Sequence, residues 1–170
     1  WAAGKCGQAL EFTTGDNQVV LDPMPHPRAS GTEISISFWS WGASNVKRNT
    51  SILEANSNNG RVTNIHHPWS NGHVYWDQGT GGYDRINKNP PMNKLQNSWT
   101  NWVYTKNRAT GTMKMYYDGN EFHNGTGKTR QWGDPVRFKL GTNNGNGSDW
   151  PGKVDDLRLY EHELTKDEVK

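Results

Sequence analysis

Apolar residues recur at every second position along most of this chain, in short runs closed by Gly, Asn, Asp or Pro. The pattern predicts strands over Gln8 to Phe12, Gln18 to Leu21, Ile34 to Trp41, Ser51 to Glu54 and Val62 to His66. It continues over His73 to Asp77, Trp99 to Thr105, Met113 to Tyr117, Arg137 to Gly141 and Lys153 to Tyr160. Asp118-Gly119 suits the positive backbone angles of a two-residue hairpin and places Glu121 and Phe122 on the return strand. Asn56 to Gly60 and Thr142 to Ser148, rich in Asn, Gly and Ser, read as loops. One helix is expected: Thr165 caps a terminal turn, and Glu168 three residues on completes a capping box. Many short strands without helical periods between them predict an all-β, two-sheet antiparallel sandwich of jelly-roll type, with residues 1–170 as a single domain.

Composition sharpens this picture. Nine Trp, six Tyr and four Phe supply the large apolar surfaces that a 31% hydrophobic content otherwise lacks. Nineteen basic residues against 17 acidic give no field for nucleic acid, and no run approaches the ~18 apolar residues of a membrane span. Neither nucleic acid nor a membrane is therefore expected as a partner. Cys6 has no second cysteine with which to pair and is read as a buried small hydrophobe.

Period-two geometry separates Ile34, Ile36 and Phe38 from Ser35, Ser37, Trp39 and Trp41, so the two tryptophans turn away from the core-forming side. They either stack on the CH-rich faces of a sugar or close a loop over a sheet edge. The segment from Arg61 to Arg85 gathers His66, His67, Trp69, His73, Trp76, Asp77 and Tyr83 with Pro68 and several glycines, the densest group of ligand-competent side chains. Arg85 offers a forked contact to a carboxylate or sulfate on a glycan, or a structural pair with Asp77 or Asp84. His66 and His67 face opposite ways if extended, which makes them poor joint metal ligands. Trp102 and Tyr104, with Met113, Met115 and Tyr117, are assigned to the core. Ligand contact is thus expected from Trp39, Trp41, His66, His67, Trp69, Trp76, Tyr83 and Arg85.

The order Gly7-Gln8-Ala9-Leu10-Glu11-Phe12, Ile34-Ser35-Ile36-Ser37-Phe38-Trp39, Trp99 leading a strand, Met113 to Gly119, and Gly152 to Tyr160 resembles the laminin-G-like, concanavalin A-like jelly-roll superfamily. The likeness runs nearly end to end and finishes on Leu164 through Glu168. It implies a lectin-like, non-catalytic carbohydrate-binding module of a secreted bacterial protein, tethered to other domains, with a polysaccharide as its ligand, acidic marine ones included. It also implies a structural calcium ion held by Asp16 with Asp155 or Asp156, whose flexible oxygen coordination suits that ion. The alternative for these residues is a loop-capping Asp16 and a strand-end salt bridge from Asp155. Two further functions stay open: the ligand-binding domain of an adhesin, and a polysaccharide lyase using Asn64 and His66 with Tyr75 or Tyr83. A hydrolase is disfavoured because no strand carries two alternating carboxylates.

Overall fold

The computed structural model describes residues 1–13, 18–21, 31–143 and 147–170. Among these, thirteen strands form two antiparallel sheets. In chain order they are β1 Ala2–Ala3, β2 Gln8–Phe12, β3 Val19–Leu21, β4 Glu33–Gly42, β5 Ser51–Ser57, β6 Gly60–His66 and β7 Val74–Gln78. They continue with β8 Asp84–Lys88, β9 Trp99–Asn107, β10 Thr112–Tyr117, β11 Asn120–Gly125, β12 Arg137–Leu140 and β13 Gly152–Tyr160. One sheet has seven strands in the order β1-β2-β13-β4-β9-β10-β11, and the other has six in the order β3-β12-β5-β6-β7-β8. The sandwich expected from the alternation is therefore the observed fold.

Alternation explains which side of each strand is buried. Ile34, Ile36 and Phe38 of β4 join Trp102 and Tyr104 of β9 and Met113 and Met115 of β10 on the inner side of the seven-stranded sheet. Leu53, Ile65, Trp76, Ile86 and Leu140 meet them from the six-stranded sheet. Aromatic rings fill what aliphatic side chains would fill elsewhere: Phe38 stacks on Tyr104 at 5.9 Å and Trp76 meets Tyr104 edge-on at 5.6 Å. One cation also enters this interior. Lys106 of β9 is fully buried and its Nζ donates to Asp84 Oδ2 (2.8 Å) and to the carbonyls of Arg130 (2.9 Å) and Gln78 (3.2 Å). These bonds tie the seven-stranded sheet to the start of β8.

Several local expectations change. β1 and β8 were not foreseen, because Asp84–Lys88 presents only Ile86 as an apolar signal and strand identity there comes from pairing with β7. The loop expected over Asn56 to Gly60 is a tight hairpin, with Ser57 paired to Gly60. Asp118 and Gly119 do adopt the expected positive φ, 49° and 76°. The Thr165–Glu168 capping box forms, with the Thr165 N–H donating to Glu168 Oε2 at 2.9 Å, but it closes a single turn rather than a helix. Cys6 is exposed, contrary to its reading as a core residue, since it lies in the turn joining β1 to β2.

That closing segment matters for the surface. The Ser35 hydroxyl donates to the His162 carbonyl (2.7 Å) and accepts from the Leu164 N–H (2.9 Å), which pins residues 161–170 across the outer side of the seven-stranded sheet. Leu164 and Val169 pack there on Val103 and Tyr116.

Candidate binding face

The residues expected to bind one ligand are divided by the fold between three places. Trp39 and Trp41 lie half-buried on the outer side of the seven-stranded sheet, Trp39 under the Lys5 ammonium (4.6 Å) and Trp41 under that of Lys153 (5.1 Å). His66, Trp69, Tyr83 and Arg85 lie on the outer side of the six-stranded sheet, the opposite surface of the sandwich. Trp76 and His67 belong to neither surface. Trp76 is fully buried between the sheets, because Tyr75 and Asp77 take the outward positions of β7 and leave Trp76 inward. His67 is fully buried too, set edge-on against Trp102 at 4.8 Å, with neither ring nitrogen hydrogen-bonded among the described residues. Burial holds its pKa down to about 3, so it is a neutral core residue. These two assignments to a ligand-facing rim are corrected accordingly.

The six-stranded outer side carries a polar row that crosses five strands in register: Lys139, Glu54, Asn64, Asp77 and Arg85. At the usual spacing of neighbouring strands the row spans roughly 19 Å. Its acidic members are held by neighbours on the same face. Arg85 donates from Nε to Asp77 Oδ1 (2.6 Å) and from Nη2 to Asp77 Oδ2 (2.7 Å), while Arg61 Nη1 donates to the same Oδ2 (2.7 Å). Asn64 and Asn56 donate to Glu54 Oε2 and Oε1, each at 2.6 Å. Glu54, Asn64 and Asp77 have almost no exposed surface, yet every charge has a partner, as buried ions require. The structural pair expected for Arg85 forms with Asp77, not Asp84, and that bond is the chief cause that raises the pKa of its guanidinium, which stays partly exposed at the surface.

A second row, Ser51, His66, Tyr75 and Asn87, runs beside the first. His66 Nδ1 lies 2.8 Å from Ser51 Oγ, and the ring contacts Trp69 with centroids 4.2 Å apart. Burial lowers its pKa to about 4, with the Asp77 charge opposing that shift, so at neutral pH this imidazole is uncharged. Arg85 lies over both Tyr75 (4.8 Å) and Tyr83 (4.7 Å), and Arg61 over Tyr83 (5.5 Å). Tyr83 remains 43% exposed at the rim, and Trp69 is half-exposed. Rigid hydrogen-bonding groups beside partly free aromatic faces are the surface that a hydroxyl-rich ligand with apolar CH faces fits.

Glu54, Arg61 and Tyr75 were absent from the expected ligand set although the same alternation marks them. Counting outward from Trp76 assigns Tyr75 and Asp77 to this face, and pairing carries the assignment to Glu54 and Asn64. Arg61 is harder to place because the register of β5 and β6 shifts between Ala55 and Asn56.

The expected calcium set fares differently. Asp16 lies outside the described residues. Asp155 accepts the Cys6 N–H on Oδ2 (3.0 Å) and the Asp156 N–H on Oδ1 (2.8 Å), while Asp156 pairs with Arg158 at 2.8 Å. No cluster of three acidic, His or Cys ligands occurs among the described residues. Asp155 thus acts as a clasp on the β1–β2 turn.

Comparison with known structures agrees with the architecture. Domain 4 of AbnA, an extracellular family-43 arabinanase from Geobacillus stearothermophilus solved with arabinotriose, superposes with a TM-score of 0.76 at 22% identity, over 99% of this chain and 77% of that one. The botulinum neurotoxin serotype D ligand-binding domain solved with N-acetylneuraminic acid gives 0.76 at 14% identity, over 96% of this chain but 41% of that one. The neurotoxin DC binding domain solved with rat synaptotagmin II gives 0.70 at 16% identity, over 94% and 40%. No curated protein matches the chain in sequence. The family model of the concanavalin A-like lectin/glucanases superfamily matches residues 13–170, and the chain belongs to that superfamily.

Proposed function

We propose that this domain is a non-catalytic carbohydrate-binding module that holds a polysaccharide against the outer side of its six-stranded sheet. The observation that carries the proposal is the in-register row from Lys139 to Arg85, hydrogen-bonded from Glu54 onward and flanked by Trp69, Tyr75 and Tyr83. Such groups orient hydroxyls, while the partly exposed rings stack on sugar faces. The sugar-bound structures of the arabinanase domain and the neurotoxin domain support the reading by analogy of fold. The same analogy favours an extracellular domain that delivers attached partners to the polysaccharide.

Catalysis finds little support in the same geometry. A retaining or inverting glycosidase needs one carboxylic acid free to protonate a leaving oxygen. All four oxygens of Glu54 and Asp77 already accept bonds from amides or guanidinium groups. A lyase is the second reading, because Asn64, His66 and Tyr75 share this face. The Arg61 and Arg85 guanidinium groups beside those residues are already paired with Asp77, which leaves them less able to neutralise the uronate of a lyase substrate. Affinity electrophoresis through gels of neutral and acidic polysaccharides, with assays for reducing ends and unsaturated products, tests the proposal. Retardation without product is expected. Product release would replace the module with an enzyme, and a folded domain retarded by no glycan would replace it with a protein-binding adhesin domain, a reading in line with the neighbour solved in complex with synaptotagmin II.

A further inference from the structure

The outer side of the seven-stranded sheet carries a cleft of about 410 Å³, within the ~300–1,000 Å³ range of small-ligand sites. Its position follows from four local features. The closing segment walls one side with Leu164 and Val169, the hairpin turn at Asp118-Gly119 walls another, and Trp39 presents its indole to the space. The fourth is a bulge in β13 between Asp155 and Arg158, where Asp156 takes a left-handed φ of 50° beside the cleft. Bulges re-aim side chains in this way next to binding sites.

The chemistry of the lining is specific. Trp39 is steadied by the Lys5 ammonium over its ring, and Val103 extends the apolar floor. Cross-strand pairing sets Asn101 opposite Trp39 and Ser37 opposite Val103. The side-chain amide of Asn101 and the hydroxyl of Ser37 have no protein partner among the described residues, so their hydrogen-bonding capacity is free beside the indole. The charged groups of the lining are of both signs: Asp118 is paired with Lys94, and Asp156 with Arg158. Lys170 and Glu168 of the lining are likewise paired, with Asp167 and His162, so the charges of the lining are matched among the described residues, and an aromatic wall beside free amide and hydroxyl groups matches a neutral sugar.

We infer that this cleft is a second saccharide site, taking one or two neutral sugar units stacked on Trp39, so that the domain is bivalent and joins two polysaccharide chains across its thickness. The inference rests on the proposed function for the nature of the ligand, but its residues are entirely separate. Bivalency turns a weak second contact into a strong one on a long polymer, because the first binding event raises the local concentration for the second.

The test uses calorimetric titration of the whole domain with short neutral arabino-, xylo- and galacto-oligosaccharides, together with turbidity of the parent polysaccharides. Trp39→Ala and Asn101→Ala serve on the cleft, the latter guarding against a loss of fold at Trp39, and Tyr83→Ala on the opposite face. The expected result is that either cleft variant loses one of the binding equivalents and the turbidity, at an unchanged melting temperature. Tyr83→Ala should weaken the other equivalent and spare the cleft. Wild-type stoichiometry retained in both cleft variants overturns the second site while leaving the proposed function intact. Absence of binding by the unmodified domain to every sugar overturns both.

Discussion

The two outer surfaces of the sandwich hold similar residue types in opposite states. On the six-stranded side, arginines, amides and carboxylates are locked to one another across four strands, and the aromatic rings rest on guanidinium and imidazole groups. On the seven-stranded side, Trp39 and Trp41 meet isolated lysines, and the polar groups beside Trp39 are free. The difference teaches where preorganisation lies. A fixed array loses little freedom when a ligand arrives and discriminates by geometry, whereas a cleft bordered by single side chains adapts. The first is suited to a primary site and the second to an auxiliary one.

Removing Asp77, on which the array depends, should have the largest effect. Asp77→Ala leaves Arg61 and Arg85 without their shared acceptor. Loss of one partner from a buried ionic group costs ~3–5 kcal/mol, and because both arginines are about a third exposed and can regain water, the lower end applies. Thermal melting should show a large fall in Tm and electrophoresis a loss of retardation. Trp76→Ala should cost about as much, ~3–5 kcal/mol, through its cavity alone. A Trp76→Ala domain that melts normally but binds poorly would return that residue to the ligand face.

Acid provides a smaller perturbation of the same network. The pKa values of His66 and His67 are lowered in the folded domain, to about 4 and about 3, from an unfolded value of 6.5. Folding then favours the neutral rings. Their contribution is fully present above pH 6.5 and is lost as pH falls from 6.5 toward 4 and below. Urea melts should show this loss beginning near pH 6.5. His66→Gln should reduce the slope, and an unchanged slope would mean that His66 is not held neutral. At the rim, Tyr83→Ala should weaken polysaccharide binding about tenfold, ~1.4 kcal/mol, without moving Tm. Chelation should have the least effect of all, since Asp155 is occupied by backbone N–H groups. A Tm fall of several degrees in chelator would restore a calcium site built with Asp16.

Much of this architecture could be read from alternation. The faces of β4 and the core positions Trp102, Tyr104, Met113 and Met115 follow from it directly. The expected ligand set is divided by the fold where richness in aromatic and polar residues was taken as one locus. Trp39 and Trp41 fall in a different sheet from Trp69 and Arg85, and the pairing of sheets is a long-range property that period-two patterns do not encode. His67 and Trp76 show the same limit inside a single segment. Each sits beside a residue of the polar face and points the other way, which alternation could have told once the outward register of His66 and Asp77 was fixed. Cys6 was misplaced because a lone small residue before a strand carries no pattern at all.

The most direct measurement is a heteronuclear NMR titration with the oligosaccharide that calorimetry selects, following the Nε–H signals of Arg61 and Arg85 and the indole N–H signals of Trp69 and Trp39. If the six-stranded face is the primary site, the Arg61, Arg85 and Trp69 signals shift at the lowest ligand concentrations and Trp39 follows later. Early movement of Trp39 with Arg61, Arg85 and Trp69 unmoved to saturation would contradict it and transfer the polysaccharide to the opposite face of the sandwich.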